Sequence, residues 1–209
     1  MIKNILFDFD GVILNSLPIK EFGFREIFKS FNKGNIDKLI EFHRQNGGWS
    51  RFIKIRYFYE NILKKDISES KILNYAEQFS EIMKNELIKK IYLISETISF
   101  LDKTYLDYNL HIVSGSEHNE LNYLCKELEV SKYFQTVNGS PTKKGVLVKN
   151  IIENYNLIKS ETILIGDSIN DFQASQENNI EFFGFNNKDL NHLKYIDSFE
   201  EFYIFLSKQ

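Results

Sequence analysis

A single cysteine, Cys125, excludes an intramolecular disulfide and suits a reducing compartment. It stands at helical spacing with Leu121, Leu124 and Leu128, the pattern of a packed core thiol. No run of 18 apolar residues offers a membrane span, and no signal-peptide pattern precedes the first strand. A cytoplasmic protein without a membrane partner is expected. Positive charge is not in excess either: 26 Lys and Arg against 29 Asp and Glu leave a net charge of −3. That balance argues against nucleic acid as a partner. Proline and alanine are scarce, two of each, which reads as compositional bias and not as function. Repeats and low-complexity tracts are absent. The chain is instead rich in aromatic bulk, 19 Phe and 11 Tyr, to fill a core. A monomer is the default expectation.

Residues 4–9 read as a buried strand that runs into Asp8 and Gly11. Residues from 19 to about 88 then carry helical periodicity with no strand, broken near Lys33-Gly34-Asn35, Asn46-Gly47-Gly48 and Lys65-Asp66. From Ser95 the pattern alternates. Helices are predicted over 95–107, 117–128, 144–155, 169–178 and 198–207, and strands over 109–113, 134–137, 161–165 and 180–185. Such alternation implies an α/β fold, a doubly wound parallel sheet with helices on both faces. The helical block is too long for one crossover and predicts an inserted cap over 16–89, with a core of 1–15 and 90–209.

Ligands of open α/β sheets bind at the carboxyl ends of the strands. The residues delivered there are Asp8 and Asp10, then Ser114-Gly115-Ser116, then Lys143 and Lys144, then Asp167 and Asp171. Clustered carboxylates need a cation, and hard oxygen ligands with room for water suit Mg²⁺. A lysine and a hydroxyl beside that ion make a site for a dianion such as phosphate. A carboxylate near it can attack phosphorus, and a second can serve as general acid and base.

The stretches DFDGV, the apolar run into Ser114, Lys144 and GDSIND, in this order, resemble the four motifs of the haloacid dehalogenase superfamily. The likeness covers about 1–22 and 95–185. It implies Asp8 as nucleophile and metal ligand, and Asp10 as general acid/base with its main-chain carbonyl on the metal. Ser114, with backbone amides such as that of Gly115, would hold the phosphoryl group. Lys144 would neutralise charge, with Lys143 the alternative. Asp167 would complete the Mg²⁺ site, and Asp171 would be a further ligand or a water-positioning partner. The opening aspartates divide the labour in this reading: Asp8 ionised on the metal, Asp10 protonated, its pKa raised relative to that of Asp8.

The insert is similar to the helical cap of the phosphoglycolate phosphatase and β-phosphoglucomutase branch. Its loop His43-Arg44-Gln45-Asn46-Gly47-Gly48-Trp49-Ser50-Arg51 is a candidate substrate-reading element, and its GGWSR resembles the GxSR of sugar-phosphate mutases, which implies Arg51 over the substrate's polar part. The competing reading is a plain interhelix loop, with Trp49 in the cap core. Lys54 and Arg56 add positive charge nearby, and Asn15-Ser16-Leu17-Pro18 is the expected hinge. The function expected is Mg²⁺-dependent phosphomonoester hydrolysis of a small phosphorylated metabolite, a sugar phosphate among the candidates, through an aspartyl-phosphate. The alternative is a sugar-phosphate mutase of the β-phosphoglucomutase type. A receiver-type switch fits poorly, because its phosphoacceptor lies on the third strand.

Overall fold

The computed structural model describes residues 1–208. Its centre is a six-stranded parallel sheet made of β1 (Asn4–Phe7), β2 (Asn109–Glu117), β3 (Thr136–Ser140), β4 (Thr162–Gly166), β5 (Glu181–Phe185) and β6 (Tyr195–Ile196). The order is β3-β2-β1-β4-β5-β6, so the winding reverses beside β1. Phe7 pairs in register with both Ile112 and Ile165. The segments leaving β1, β2 and β4 therefore emerge at one edge, at the switch point where such sheets bind ligands.

The pleat sorts the apolar side chains onto two faces. Ile5, Phe7, Leu110, Ile112, Ile163 and Ile165 face one core, which α5 (Ser95–Thr104), α6 (His118–Glu127) and α9 (Phe199–Ser207) cover. Leu6, Val113 and Leu164 face the other, under α7 (Lys144–Asn154) and α8 (Ile169–Asn178). Strands buried on both faces explain the continuous apolar runs. Cys125 is fully buried in the first core.

Between β1 and α5 lie α1 (Leu17–Ile27), α2 (Lys33–Gln45), α3 (Arg51–Tyr57) and α4 (Glu69–Glu86). Their shared interior is aromatic: Phe28 stacks on Phe58 at 4.2 Å, and Phe24 packs tilted against Phe79 at 4.6 Å. The chain leaves for these helices and returns through adjacent segments. The Asn15 amide donates to the Tyr92 carbonyl at 2.8 Å, and the Ile94 amide to that of Ile13 at 3.0 Å.

Two expectations need adjustment, and one strand lies outside them. The first strand ends at Phe7, not at 9, because the chain then turns: Ile13 and Leu14 both donate to the Phe9 carbonyl, and Gly11 adopts φ +76°. Strand β3 starts at Thr136, since Phe134 is spent on an edge contact with Phe7 at 5.8 Å. The sixth strand is only two residues long, too short to show any period.

Candidate active site

Asp8 continues the line of β1, its amide donating to the Ile165 carbonyl at 2.9 Å. Its carboxylate is buried and lies 3.0 Å from Lys144 Nζ, at the start of α7. The same ammonium is paired with Asp171 on α8. Lys144 is thus the lysine of this site, whereas Lys143 is exposed ahead of α7. Asp167 comes directly after β4. Asp8, Asp167 and Asp171 each offer an oxygen within 4.8 Å of the others. Gly11 permits this convergence twice over. Its φ is positive, and a Cβ there would stand 2.0 Å from an Asp167 oxygen.

The electrostatics are set by burial. Desolvation and the neighbouring Asp171 push the Asp8 carboxyl up to about 7, against the pull of Lys144. Burial and the Asp8 and Asp171 charges push Asp167 well above the usual carboxylate range. Desolvation works against the Lys144 ammonium, but Asp171 and Asp8 outweigh it and hold its pKa up. Two mutually repelling oxygen donors beside a third make a set that a small hard cation would relieve, so the residues fit Mg²⁺. Asp171 is the least free of the three. One oxygen takes Lys144, and the other accepts from the Ser168 amide at 3.1 Å and the Ser168 hydroxyl at 2.6 Å, closing a capping box at the head of α8.

Asp10 faces elsewhere. Its Oδ1 accepts from the Ser16 hydroxyl at 2.5 Å. Its Oδ2 accepts from Ser116 at 2.7 Å and Ser114 at 3.4 Å, and pairs with Lys20 Nζ at 2.5 Å. Burial alone would push this carboxyl up. Lys20 and the hydroxyls of Ser16 and Ser116 outweigh burial and hold it well below the usual range. In the metal-free chain the order of the two aspartates is the opposite of the one expected for the metal-loaded site: Asp10 is held down, and Asp8 is raised. The cause is a partner the motif does not contain. Lys20 sits one turn into α1, and no sequence pattern marks it. Ser116 also serves Asp10, and the following helix is capped by Glu117.

Arg51 also departs from its expected place. It is buried, with its guanidinium on both oxygens of Glu120 and on the Ser80 hydroxyl. Its donors are committed to an ion pair between α3 and α6 and do not read a substrate. The loop before it comes down on the sheet edge. A Cβ on Gly115 would meet the Gly48 carbonyl at 2.3 Å. Trp49 is partly exposed, not cap core, and its Nε1 donates to Asn170 Oδ1 at 2.5 Å. Beside this lid a cavity of about 620 Å³ opens, lined by Asp10, Asp167, Lys20, His43, Asn187 and His192 among others. That volume suits a small metabolite.

The sequence profile of haloacid dehalogenase-like hydrolases matches residues 5–185. A phosphorylated carbohydrates phosphatase of Thermotoga maritima is 22% identical over 184 residues, spanning 85% of this chain and 82% of that protein. Among solved structures, a β-phosphoglucomutase of Clostridium difficile superposes with a TM-score of 0.74 at 19% identity, covering 96% of this chain and 93% of the other. A predicted phosphatase of Clostridium acetobutylicum reaches 0.78 at 14% identity over the whole of both chains. At such identities these two structures speak for a shared fold.

Proposed function

The chain belongs to the haloacid dehalogenase-like hydrolase family, and from that footing we propose that it is a Mg²⁺-dependent phosphatase of a small phosphorylated metabolite. The observation that carries the reading is Asp8 itself: a buried carboxylate at the switch point, 3.0 Å from a buried lysine and grouped with Asp167 and Asp171. The name of the Thermotoga relative supports the substrate class.

In this reading Asp8, Asp167 and the Asp10 main-chain carbonyl would hold Mg²⁺, with Asp171 behind them fixing Lys144. When bound, the ion would offset the negative charge of the carboxylates and the phosphoryl oxygens. Asp8 attacks phosphorus, the ester P–O bond breaks, and Asp10 gives the leaving oxygen its proton. Lys144 balances charge on Asp8 and on the transferring group. Ser114 and the Gly115 amide hold phosphoryl oxygens. Water then attacks the aspartyl-phosphate, loses a proton to Asp10 and releases inorganic phosphate, which restores Asp8. Asp10 is fully engaged as an acceptor in the closed arrangement. It must therefore exchange Lys20 for a proton during the cycle.

A Mg²⁺-supplemented screen of phosphomonoesters, p-nitrophenyl phosphate among them, tests this reading. Phosphate release that disappears in Asp8→Asn is expected, and full activity in that variant would sink the mechanism. Isomerisation of a sugar phosphate without net phosphate release would favour a mutase.

A further inference from the structure

The helical insert contributes a buried lysine that the mechanism above does not use. Lys54 on α3 is 2% exposed, yet no carboxylate lies within ion-pairing distance of it among the described residues. Its Nζ is held by two neutral acceptors, the Gly47 carbonyl at 3.1 Å and His43 Nδ1 at 2.9 Å. The carboxylates that act on it through space are Asp10 and Asp167. Asp10 is already paired with Lys20, and Asp167 belongs to the group that fits a cation. A lysine is seldom buried without a carboxylate partner. Burial and the nearby Lys20 push its pKa well below the ordinary lysine value, against the pull of Asp10, so an anion placed beside it would favour the charged form.

His43 supplies the second observation. It is 1% exposed and stands in the wall of the 620 Å³ cavity, with an edge contact to Phe24 at 5.2 Å. An imidazole whose Nδ1 accepts from Lys54 carries its proton on Nε2. That Nε2 has no partner at all. A buried donor without an acceptor, on a cavity wall, with an unpaired amine directly behind it, is an incomplete network that costs stability unless a ligand completes it. Burial, with Lys54 adding to it, holds the His43 pKa down to about 2, so the ring that lines the cavity is neutral.

We propose that His43 and Lys54 form a subsite for a second oxyanion of the substrate, a carboxylate or second phosphate on the portion that leaves with the ester oxygen. His43 Nε2–H donates to that oxyanion, and Lys54 supplies the charge from behind. Arg51 takes no part, because Glu120 already neutralises it. The inference rests on the hydrolase reading and narrows its substrates to phosphomonoesters with an anionic leaving portion.

Steady-state kinetics on four esters tests it: p-nitrophenyl phosphate and glucose 6-phosphate, with uncharged remainders, and 2-phosphoglycolate and fructose 1,6-bisphosphate, with a carboxylate and a second phosphate. The wild-type protein should favour one or both anionic esters by roughly 10- to 100-fold in kcat/KM, the worth of a charged hydrogen bond. Which of the two is favoured identifies the oxyanion. Lys54→Met and His43→Leu should bring the ratio of anionic to neutral kcat/KM close to one, mainly through KM. His43→Gln, which keeps a donor, should recover part of it. Calorimetric titration with glycolate, which carries no phosphoryl group, reads the subsite without turnover: binding should be lost in Lys54→Met and kept in Lys54→Arg, and equal binding in the wild-type protein and Lys54→Met overturns the subsite. An intact preference in Lys54→Met, or equal losses on all four esters, overturns the subsite and leaves Lys54 a prop of the Gly47 loop. No activity on any ester overturns the hydrolase reading instead.

Discussion

Arg51 and Glu120 face each other in a buried two-point ion pair, Nη1 to Oε2 at 2.6 Å and Nη2 to Oε1 at 2.5 Å. One partner lies on α3, in the helical insert between β1 and α5, and the other on α6 beside the sheet, so the pair ties the insert to the sheet layer. Arg51 is anchored within the insert as well, by the Ser80 hydroxyl at 2.6 Å and the Phe79 ring at 4.5 Å.

Removing one member of such a pair leaves the other charge buried alone. Glu120→Ala should cost about 3–5 kcal/mol, whereas an apolar replacement of both, Arg51→Met with Glu120→Leu, should recover most of that. Urea unfolding at fixed pH checks both, read as a change of midpoint at constant slope. A double variant no better than the single one would mean that packing, not charge, sets the cost.

The raised carboxyls predict a pH dependence with a definite sign. In the metal-free folded chain Asp8 titrates near 7 and Asp167 well above the usual range. In the unfolded chain both release their protons near pH ~4. Between these values the folded state binds more protons, so the stability contributed below about pH 4 is lost as pH rises toward 7. Asp10 has the opposite sign, but its contribution falls away only in acid, below the same window. In EDTA the protein should therefore be less stable at pH 7.5 than at pH 5, and Asp8→Asn should flatten the curve. Mg²⁺ at about 100 times its Kd should restore about 2.7 kcal/mol, and more of the restoration should appear at the higher pH.

The strand ends are legible in the sequence because chemistry and burial coincide there. An apolar run that stops at Asp8, or at Gly166-Asp167, marks both a central strand and the group it delivers. Glu120 is not legible, because Arg51 reaches it over 69 positions. Lys20 is not legible either, because it meets Asp10 across the turn that leaves β1, which neither a helical nor a strand period encodes. Arg51 looks available in the sequence for the same reason that Asp10 looks protonated: the partner that decides each lies on another element. The Asn46-Gly47-Gly48 break is visible as a loop, but its descent onto Gly115 depends on how the cap docks.

Lys20→Met tests the coupling between cap and acid/base group. Without the ammonium at 2.5 Å, Asp10 should hold its proton to higher pH. The alkaline limb of the kcat/KM–pH profile, which reports the group that must donate a proton, should then move upward, while Mg²⁺ affinity changes little. An unmoved profile would show that Lys20 leaves Asp10 in the active complex.

The lid itself rests on a missing side chain. A methyl group on Gly115 would lie 2.3 Å from the Gly48 carbonyl and 3.0 Å from its carbon, both of them backbone atoms that cannot swing aside. Gly115→Ala should lift the loop and break the Trp49–Asn170 hydrogen bond. KM for any substrate that needs closure should then rise by about tenfold or more. Trp49 is the single tryptophan of the chain, so its emission reports the loop directly and should shift to the red. Gly47→Ala is the matched control: a Cβ there meets nothing within 4 Å, one residue from the contact that matters. If both variants behave alike, the loop closes by a route other than the Gly48–Gly115 approach.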